Sequence, residues 1–324
     1  MMLLVVVEHD RGVLAPATQE ALTGARSIAQ RLGAVICALT IGAAADGLAA
    51  ELDVATVYQA HDDVLGDYGP EAWGETVAAF VRAHNVPYVL ACGTDRGNEV
   101  LAQAAARLDV PFIANCSDVR PTGNGIAVTR VRWGGSLGEE ATAEGTTLLF
   151  SVTHHAFEAA TSASANTPSV EVFEPRIDPK LARTVVADRV DRTAGVTLAT
   201  APFVVGGGRG VGSPEGFAPL EELAALLGGV VGCSRAVTNN GWRNHTDQVG
   251  QTGTRIAPDL YFACGISGAI QHWVGAMASK QILAINIDPQ ANMVSRADYA
   301  VIGDLHQVVP AISAEIKRRR AERS

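Results

Sequence analysis

A chain of 324 residues, 48% hydrophobic and 18% charged, is long enough for two ordinary domains, each burying well over half the surface of its unfolded chain. Its formal charge of −9 denies it the basic face a nucleic-acid binder needs. No apolar run approaches the ~20 residues that span a bilayer, and the start meets Glu8, His9 and Asp10 where a signal peptide would have its cleavage site, so a soluble cytoplasmic protein is expected.

Residues 3–7 form a continuous apolar strand. Ala21, Leu22, Ala25, Ile28, Ala29 and Leu32 then fall at helical spacing until Gly33 stops the helix. Residues 35–39 make a second strand and 54–58 a weaker third; a helix carries Trp73, Val77, Phe80 and Val81, and 88–92 is the fourth strand. After a turn at 93–97, Asn98 opens an alanine-rich helix running to Leu108, and residues 126–131 and 147–152 read as a later pair of strands. This alternation predicts an α/β domain built on a mostly parallel sheet. Residues 158–168 shift to Ala, Ser, Thr and Asn and end in proline, as a linker or edge crossing does, and β-like runs follow at 170–173 and 184–190. The boundary is placed near residue 195, giving domains 1–195 and 196–324.

The second domain repeats the pattern, with strands at 203–205, 230–232, 260–264, 282–286 and 299–302. Each runs into a polar turn, at 206–212, 233–235, 265–268, 286–289 and 303–304. Open parallel sheets bind ligands at the carboxyl ends of their strands, so the chemistry is expected here. Gly206-Gly207-Gly208-Arg209-Gly210-Val211-Gly212 precedes a helix holding Phe217, Leu220, Leu223 and Leu227, the context in which backbone amides meet a phosphate or cofactor. Its glycines miss the G-x-G-x-x-G register, and none of Lys180, Lys280 and Lys317 follows a glycine, so neither an ordinary NAD fingerprint nor a P-loop is present. Arg209 adds a fixed positive charge.

Gly232-Cys233-Ser234-Arg235-Ala236 and Gly265-Ile266-Ser267-Gly268-Ala269 approach the nucleophile elbow G-x-S-x-G, but both lack the last glycine. His272 or His306 with Asp288 or Asp304 could complete a hydrolase triad, whereas hydroxyl donors beside a phosphate or ring need no activation. His272 begins a helix, where it could hold a proton or positive charge toward an electron-rich acceptor, or stand as a satisfied, partly buried histidine. The histidines show no metal-ligand spacing; His154-His155 and His61-Asp62-Asp63 read as surface polar residues, and no metal is expected. Cys37, Cys92, Cys116, Cys233 and Cys264, odd in number and set among apolar neighbours, read as reduced core thiols.

Taken in order, Gly207-Gly208-Arg209-Gly210, Gly232-Cys233-Ser234-Arg235-Ala236, Asp247-Gln248-Val249-Gly250-Gln251-Thr252-Gly253 and Pro258-Asp259-Leu260-Tyr261 resemble the alpha subunit of electron transfer flavoproteins. So do Gly265-Ile266-Ser267-Gly268-Ala269-Ile270-Gln271-His272, Ala284-Ile285-Asn286-Ile287-Asp288-Pro289, Ala297-Asp298-Tyr299 and Asp304-Leu305. The likeness is dense over residues 202–312 and looser before; it departs at Arg132-Trp133-Gly134-Gly135-Ser136, where the family has Tyr-Ala-Gly-Asn-Ala.

The resemblance implies a Rossmann-like C-terminal domain with one FAD per alpha subunit. It places Arg209 over the isoalloxazine ring, Thr252 near its N5 edge and His272 near the C2 carbonyl, with Gln248, Val249, Gly250 and Gln251 also at the cofactor. Ser267, Gly268, Ala269, Ile270 and Gln271 would line the pyrophosphate and ribityl chain, Ser234 and Arg235 the ring side, and Asn286, Asp304 and Leu305 the adenosine end. It also implies an electron carrier rather than a catalyst with its own substrate, working through an anionic semiquinone that Arg209 and His272 stabilise. Its beta partner would hold AMP or a second FAD, its donors would be flavin dehydrogenases such as those of acyl-CoA oxidation, and its acceptor a membrane quinone oxidoreductase. A bifurcating, NADH-oxidising flavoprotein is the alternative, and an NAD-binding dehydrogenase a remoter one.

Overall fold

The computed structural model of the chain describes residues 1–135, 137–159, 167–187 and 196–322. It divides into two compact units, Met1–Trp133 with Leu137–Val190 and Gly134–Ser136 with Asp191–Ser324. The boundary expected near residue 195 lies in a stretch outside the described residues, as does most of the expected linker.

The first unit opens with β1 (Met2–Val6), a short antiparallel ladder of β2 (His9–Asp10) and β3 (Val13–Leu14), and α1 (Pro16–Leu32). It continues through β4 (Val35–Ile41), β5 (Thr56–Ala60), α2 (Pro70–His84), β6 (Tyr88–Cys92), α3 (Asp95–Leu108), β7 (Phe112–Pro121), β8 (Gly125–Arg132), β9 (Leu137–Glu144), β10 (Leu148–Val152) and β11 (Ser169–Phe173). These form a nine-stranded sheet in the order β11-β5-β4-β1-β6-β10-β7-β8-β9, parallel from β11 to β7 and antiparallel across β7, β8 and β9. Side-chain alternation divides the core. Val5, Leu90 and Phe150 pack under α1, while Leu4, Val89 and Leu149 pack under α2 and α3.

The strands expected as a pair at 126–131 and 147–152 are not neighbours: β10 inserts between β6 and β7, whereas β8 joins β7 and β9 in an antiparallel wing. The wholly buried run of β10 demands a central position, which β8, only partly buried, does not need. α3 starts at Asp95, where the Thr94 hydroxyl accepts the Gly97 N–H at 2.9 Å. Asn98 is therefore not the cap; its side chain accepts the Ser151 hydroxyl instead. Residues 184–187, part of an expected β-like run, carry no strand.

The second unit comprises β12 (Phe203–Gly207), α4 (Ala218–Leu227), β13 (Val230–Cys233), α5 (Arg235–Asn239), β14 (Leu260–Cys264), α6 (Ile270–Ala276), β15 (Ile282–Asn286), α7 (Asn292–Arg296), β16 (Tyr299–Ile302) and α8 (Leu305–Ala321). Its five strands are all parallel, in the order β13-β12-β14-β15-β16. Val205, Phe262 and Ile285 pack with α4 and α8 on one face, and Val204, Tyr261 and Ala284 build the core of the other. The chain runs from β12 out to β13 and back to β14, so the strand order reverses between β12 and β14 and leaves a crevice at their carboxyl ends. All five cysteines are free and buried. Among the described residues no helix is long and apolar enough to cross a membrane.

Candidate cofactor site

The glycines after β12 have identifiable partners. A Cβ on Gly206 would lie 2.3 Å from the Tyr261 hydroxyl, and one on Gly207 2.4 Å from the Phe217 ring. One on Gly208 would lie 2.2 Å from the Gly265 carbonyl oxygen. The Gly208 N–H donates to the Cys264 carbonyl at 2.9 Å and the Gly210 N–H to the Gly265 carbonyl at 3.1 Å. The first two glycines thus admit large side chains against the strand, and the next two let the loops after β12 and β14 meet backbone to backbone. The amides of Gly208 and Gly210, expected to be bare toward a ligand, are already committed.

Beside this junction lies a cleft of about 770 Å³. Of the residues expected at a cofactor, Arg209, Ser234, Arg235, Ser267, Gly268, Ala269, Gln271, His272, Asn286, Asp304 and Leu305 line it. They follow the strand order, Arg235 after β13, Arg209 after β12, Ser267 and His272 after β14, Asn286 after β15 and Asp304 after β16. Charge is sorted the same way. The two guanidiniums, with no ion-pair partner among the described residues, stand at one end, and Asp288 and Asp304 at the other. The Asn286 amide N–H donates to the Ile266 carbonyl at 3.0 Å, joining the turns after β15 and β14, and Asp304 caps α8 by accepting the His306 N–H at 2.9 Å.

Gln248, Val249, Gly250, Gln251 and Thr252 do not line the cleft, and neither does Ile270, which is exposed. They back its wall. The Gln251 N–H donates to the Gln271 carbonyl at 2.7 Å, and buried Gln248 accepts the Thr238 hydroxyl at 2.8 Å while donating to the Thr252 hydroxyl at 3.0 Å. A Cβ on Gly275 would meet Gly250 Cα at 2.4 Å, so this turn is pressed against α6.

His272 is 6% exposed, with Nε2 2.8 Å from the Tyr261 hydroxyl. Burial pushes its pKa down to about 4, against a partial upward pull from the Val249 carbonyl, so the ring is neutral at pH 7. A cationic His272 is therefore not what this chain presents, and the cleft's positive charge comes from Arg209 and Arg235. The hydrolase alternative loses its geometry too, since His272 is committed to Tyr261 and neither Ser234 nor Ser267 has a histidine partner among the described residues. Asn239, Ile287 and Asp288 also line the cleft. Ile287 and Asp288 sit in a strand-end turn legible from sequence, but nothing local distinguishes Asn239.

His154 and His155, expected at the surface, are partly buried, His155 the more deeply. The side chains of Glu20 and His155 are 9% and 10% exposed, and Glu20 Oε2 accepts the His155 backbone N–H at 2.6 Å while Oε1 lies 3.1 Å from His155 Nδ1 and 3.6 Å from His154 Nε2. Burial raises the Glu20 pKa, but the hydrogen bonds from His155 and the adjacent imidazoles outweigh it and hold the carboxyl below its ordinary value. The three side chains are close enough to approach one metal ion. As they stand they form a clasp between α1 and the end of β10.

Residues 3–178 match the family model of the electron transfer flavoprotein domain, and residues 197–277 that of the electron transfer flavoprotein FAD-binding domain. The electron transfer flavoprotein subunit alpha of Bacillus subtilis (strain 168) is 36% identical over 319 residues, covering 97% of each chain. That of Mycobacterium tuberculosis (strain ATCC 25618 / H37Rv) is 37% identical over 318 residues, covering 98% of each. The protein FixB of Clostridium saccharobutylicum is 34% identical over 319 residues, covering 97% of this chain and 95% of its own. Both units match in order and the relatives align almost end to end, so the chain belongs to the electron transfer flavoprotein alpha-subunit family.

Proposed function

We propose that the cleft at the β12/β14 reversal holds one FAD and that the chain passes electrons through it as half of a heterodimer with a beta subunit. The observation that carries this reading is the charge order along the strand ends, with Arg235 and Arg209 at one end, neutral donors in the middle, and Asn286, Asp288 and Asp304 at the other. That arrangement suits a dinucleotide. Carboxylates bind ribose hydroxyls at one end, small residues let the linking chain approach the backbone, and cations receive charge at the other. The cleft's size falls within the ~300–1,000 Å³ of ligand pockets, and the buried Nδ1 of His272, which has no hydrogen-bond partner among the described residues, would suit an acceptor on a bound group.

FAD, when bound, supplies one- and two-electron transfer. Arg209 and Arg235, both exposed in the chain alone, would offer positive charge to the negative charge that arrives with an electron. The Gln248–Thr252 segment would keep α6, and with it Gln271 and His272, in place. The beta partner would carry AMP, the donors would be flavin dehydrogenases such as those of acyl-CoA oxidation, and the acceptor a membrane quinone oxidoreductase, from a cytoplasmic location.

Co-expression with the beta partner tests this. A yellow complex that yields FAD and AMP, accepts electrons from an acyl-CoA dehydrogenase and takes no hydride from NADH is the expected product. A second FAD in place of AMP, with reduction by NADH, would instead establish a bifurcating complex.

A further inference from the structure

Tyr261 lies on β14, is wholly buried, and has one hydrogen-bond partner among the described residues, Nε2 of His272 at 2.8 Å. Burial pushes its phenol far above the ordinary range, so the hydroxyl keeps its proton. The contact can be made in two ways. If Nε2 carried the ring proton, the hydroxyl would accept it and its own O–H would point at nothing, while Nδ1 would turn a bare lone pair toward the Val249 carbonyl. If the hydroxyl donates, Nε2 is the acceptor, Nδ1 carries the proton, and the Val249 carbonyl becomes an attractive neighbour. Only the second arrangement leaves no lone pair against lone pair.

Nδ1 has no completed hydrogen bond among the described residues, so an Nδ1–H would keep donor capacity on a residue that lines the cleft. Room for the hydroxyl is built into the sheet: Gly206 on the adjacent strand β12 is the position where any Cβ would strike it at 2.3 Å. Three elements therefore fix one proton: the missing side chain at Gly206, the phenol of Tyr261, and the carbonyl of Val249.

We infer that Tyr261 is a positioning residue whose hydroxyl donates to Nε2 of His272 and fixes the ring as the neutral Nδ1–H tautomer, so that the cleft receives a hydrogen-bond donor rather than a lone pair. The inference rests on reading the cleft as a flavin site, because a donor is what an electron-rich ring carbonyl requires and a lone pair would repel it. His272 then assists by a preset dipole while Arg209 supplies the charge.

The test is a long-range proton–nitrogen correlation spectrum of the full chain with its partner, labelled with ¹⁵N-histidine, with and without FAD, His272 being assigned by its loss in His272→Gln. The expected wild-type spectrum shows Nδ1 protonated and Nε2 bare in both states. In Tyr261→Phe the two nitrogen signals should move toward each other as the tautomers mix, and the midpoint potential of bound flavin should fall. Gly206→Ala, which displaces the hydroxyl, should do the same. A wild-type ring protonated on Nε2 overturns the inference, even if neither variant folds. So does a folded Tyr261→Phe that keeps the wild-type tautomer and potential. A wild-type complex that shows the Nδ1–H tautomer but takes up no FAD would refute the flavin reading and not the proton assignment.

Discussion

In the first unit the strand order reverses between β1 and β6, and side chains close the carboxyl ends of those strands. Glu8 accepts the Thr94 hydroxyl, Tyr68 donates to Glu99 at 2.8 Å, and the Arg96 guanidinium sits 4.8 Å from the centre of the Tyr68 ring. The space left among Glu8, Tyr68, Trp73 and Arg96 is about 10 Å³, room for one water at most. In the second unit the equivalent reversal, between β12 and β14, is edged by Gly208, Gly265 and Gly268 and opens onto about 770 Å³. Topology thus decides where a crevice forms, and the residues at the strand ends decide whether it stays empty.

The strongest way to break this contrast is to crowd the open reversal. Gly208→Ala would drive a methyl into the Gly265 carbonyl, and with overpacking costs of roughly 1–3 kcal/mol or more, FAD affinity should fall about a hundredfold, read by flavin absorbance retained on purification. Full retention would mean that the loop junction does not shape the site.

The first unit can be weakened without touching the second. Glu20→Gln removes the charge that clasps His154 and His155, costing about 2 kcal/mol in the first unit and leaving FAD affinity unchanged. Because folding depresses the Glu20 pKa, its contribution is complete above the unfolded value of about 4.3 and is lost as pH falls through the folded value. Urea melts at stepped pH should therefore show an acid-side loss in the wild type that is reduced in the variant.

Within the cleft, Arg209→Ala should lower the midpoint potential of bound flavin by about 50–100 mV, the equivalent of about 1–2 kcal/mol for one electron, and Arg209→Lys should restore most of it. Potentiometric titration measures both. The smallest effect is expected at the other end. Asp304→Asn keeps the α8 cap but loses the carboxylate, so FAD affinity should drop about tenfold by calorimetric titration while the potential stays put.

The two units were also unequally legible in sequence. Strands β14, β15 and β16 could be read at their observed bounds, because apolar β-rich runs there break into polar turns. β7 and β9 gave no such signal. β9 is acidic and mostly exposed, held by backbone pairing to β8 rather than by a buried face. Site residues that follow strands were found by position, but the reasons for the glycines were not, since Tyr261, Phe217 and Gly265 press on them from elsewhere in the chain. Glu20 and His155 are 135 positions apart, which no local motif can express. The neutrality of His272 follows from burial, whereas sequence offered only a histidine after a glycine turn.

A two-ended cleft would receive a flavin ring at its arginines and an adenosine at its carboxylates. This placement is tested most directly by titrating FAD and FMN separately into the deflavinated complex. One tightly bound FAD per chain is expected, with FMN bound at least about a hundredfold more weakly for want of the adenosine arm. Equal affinity for the two flavins, or uptake of neither, would contradict it.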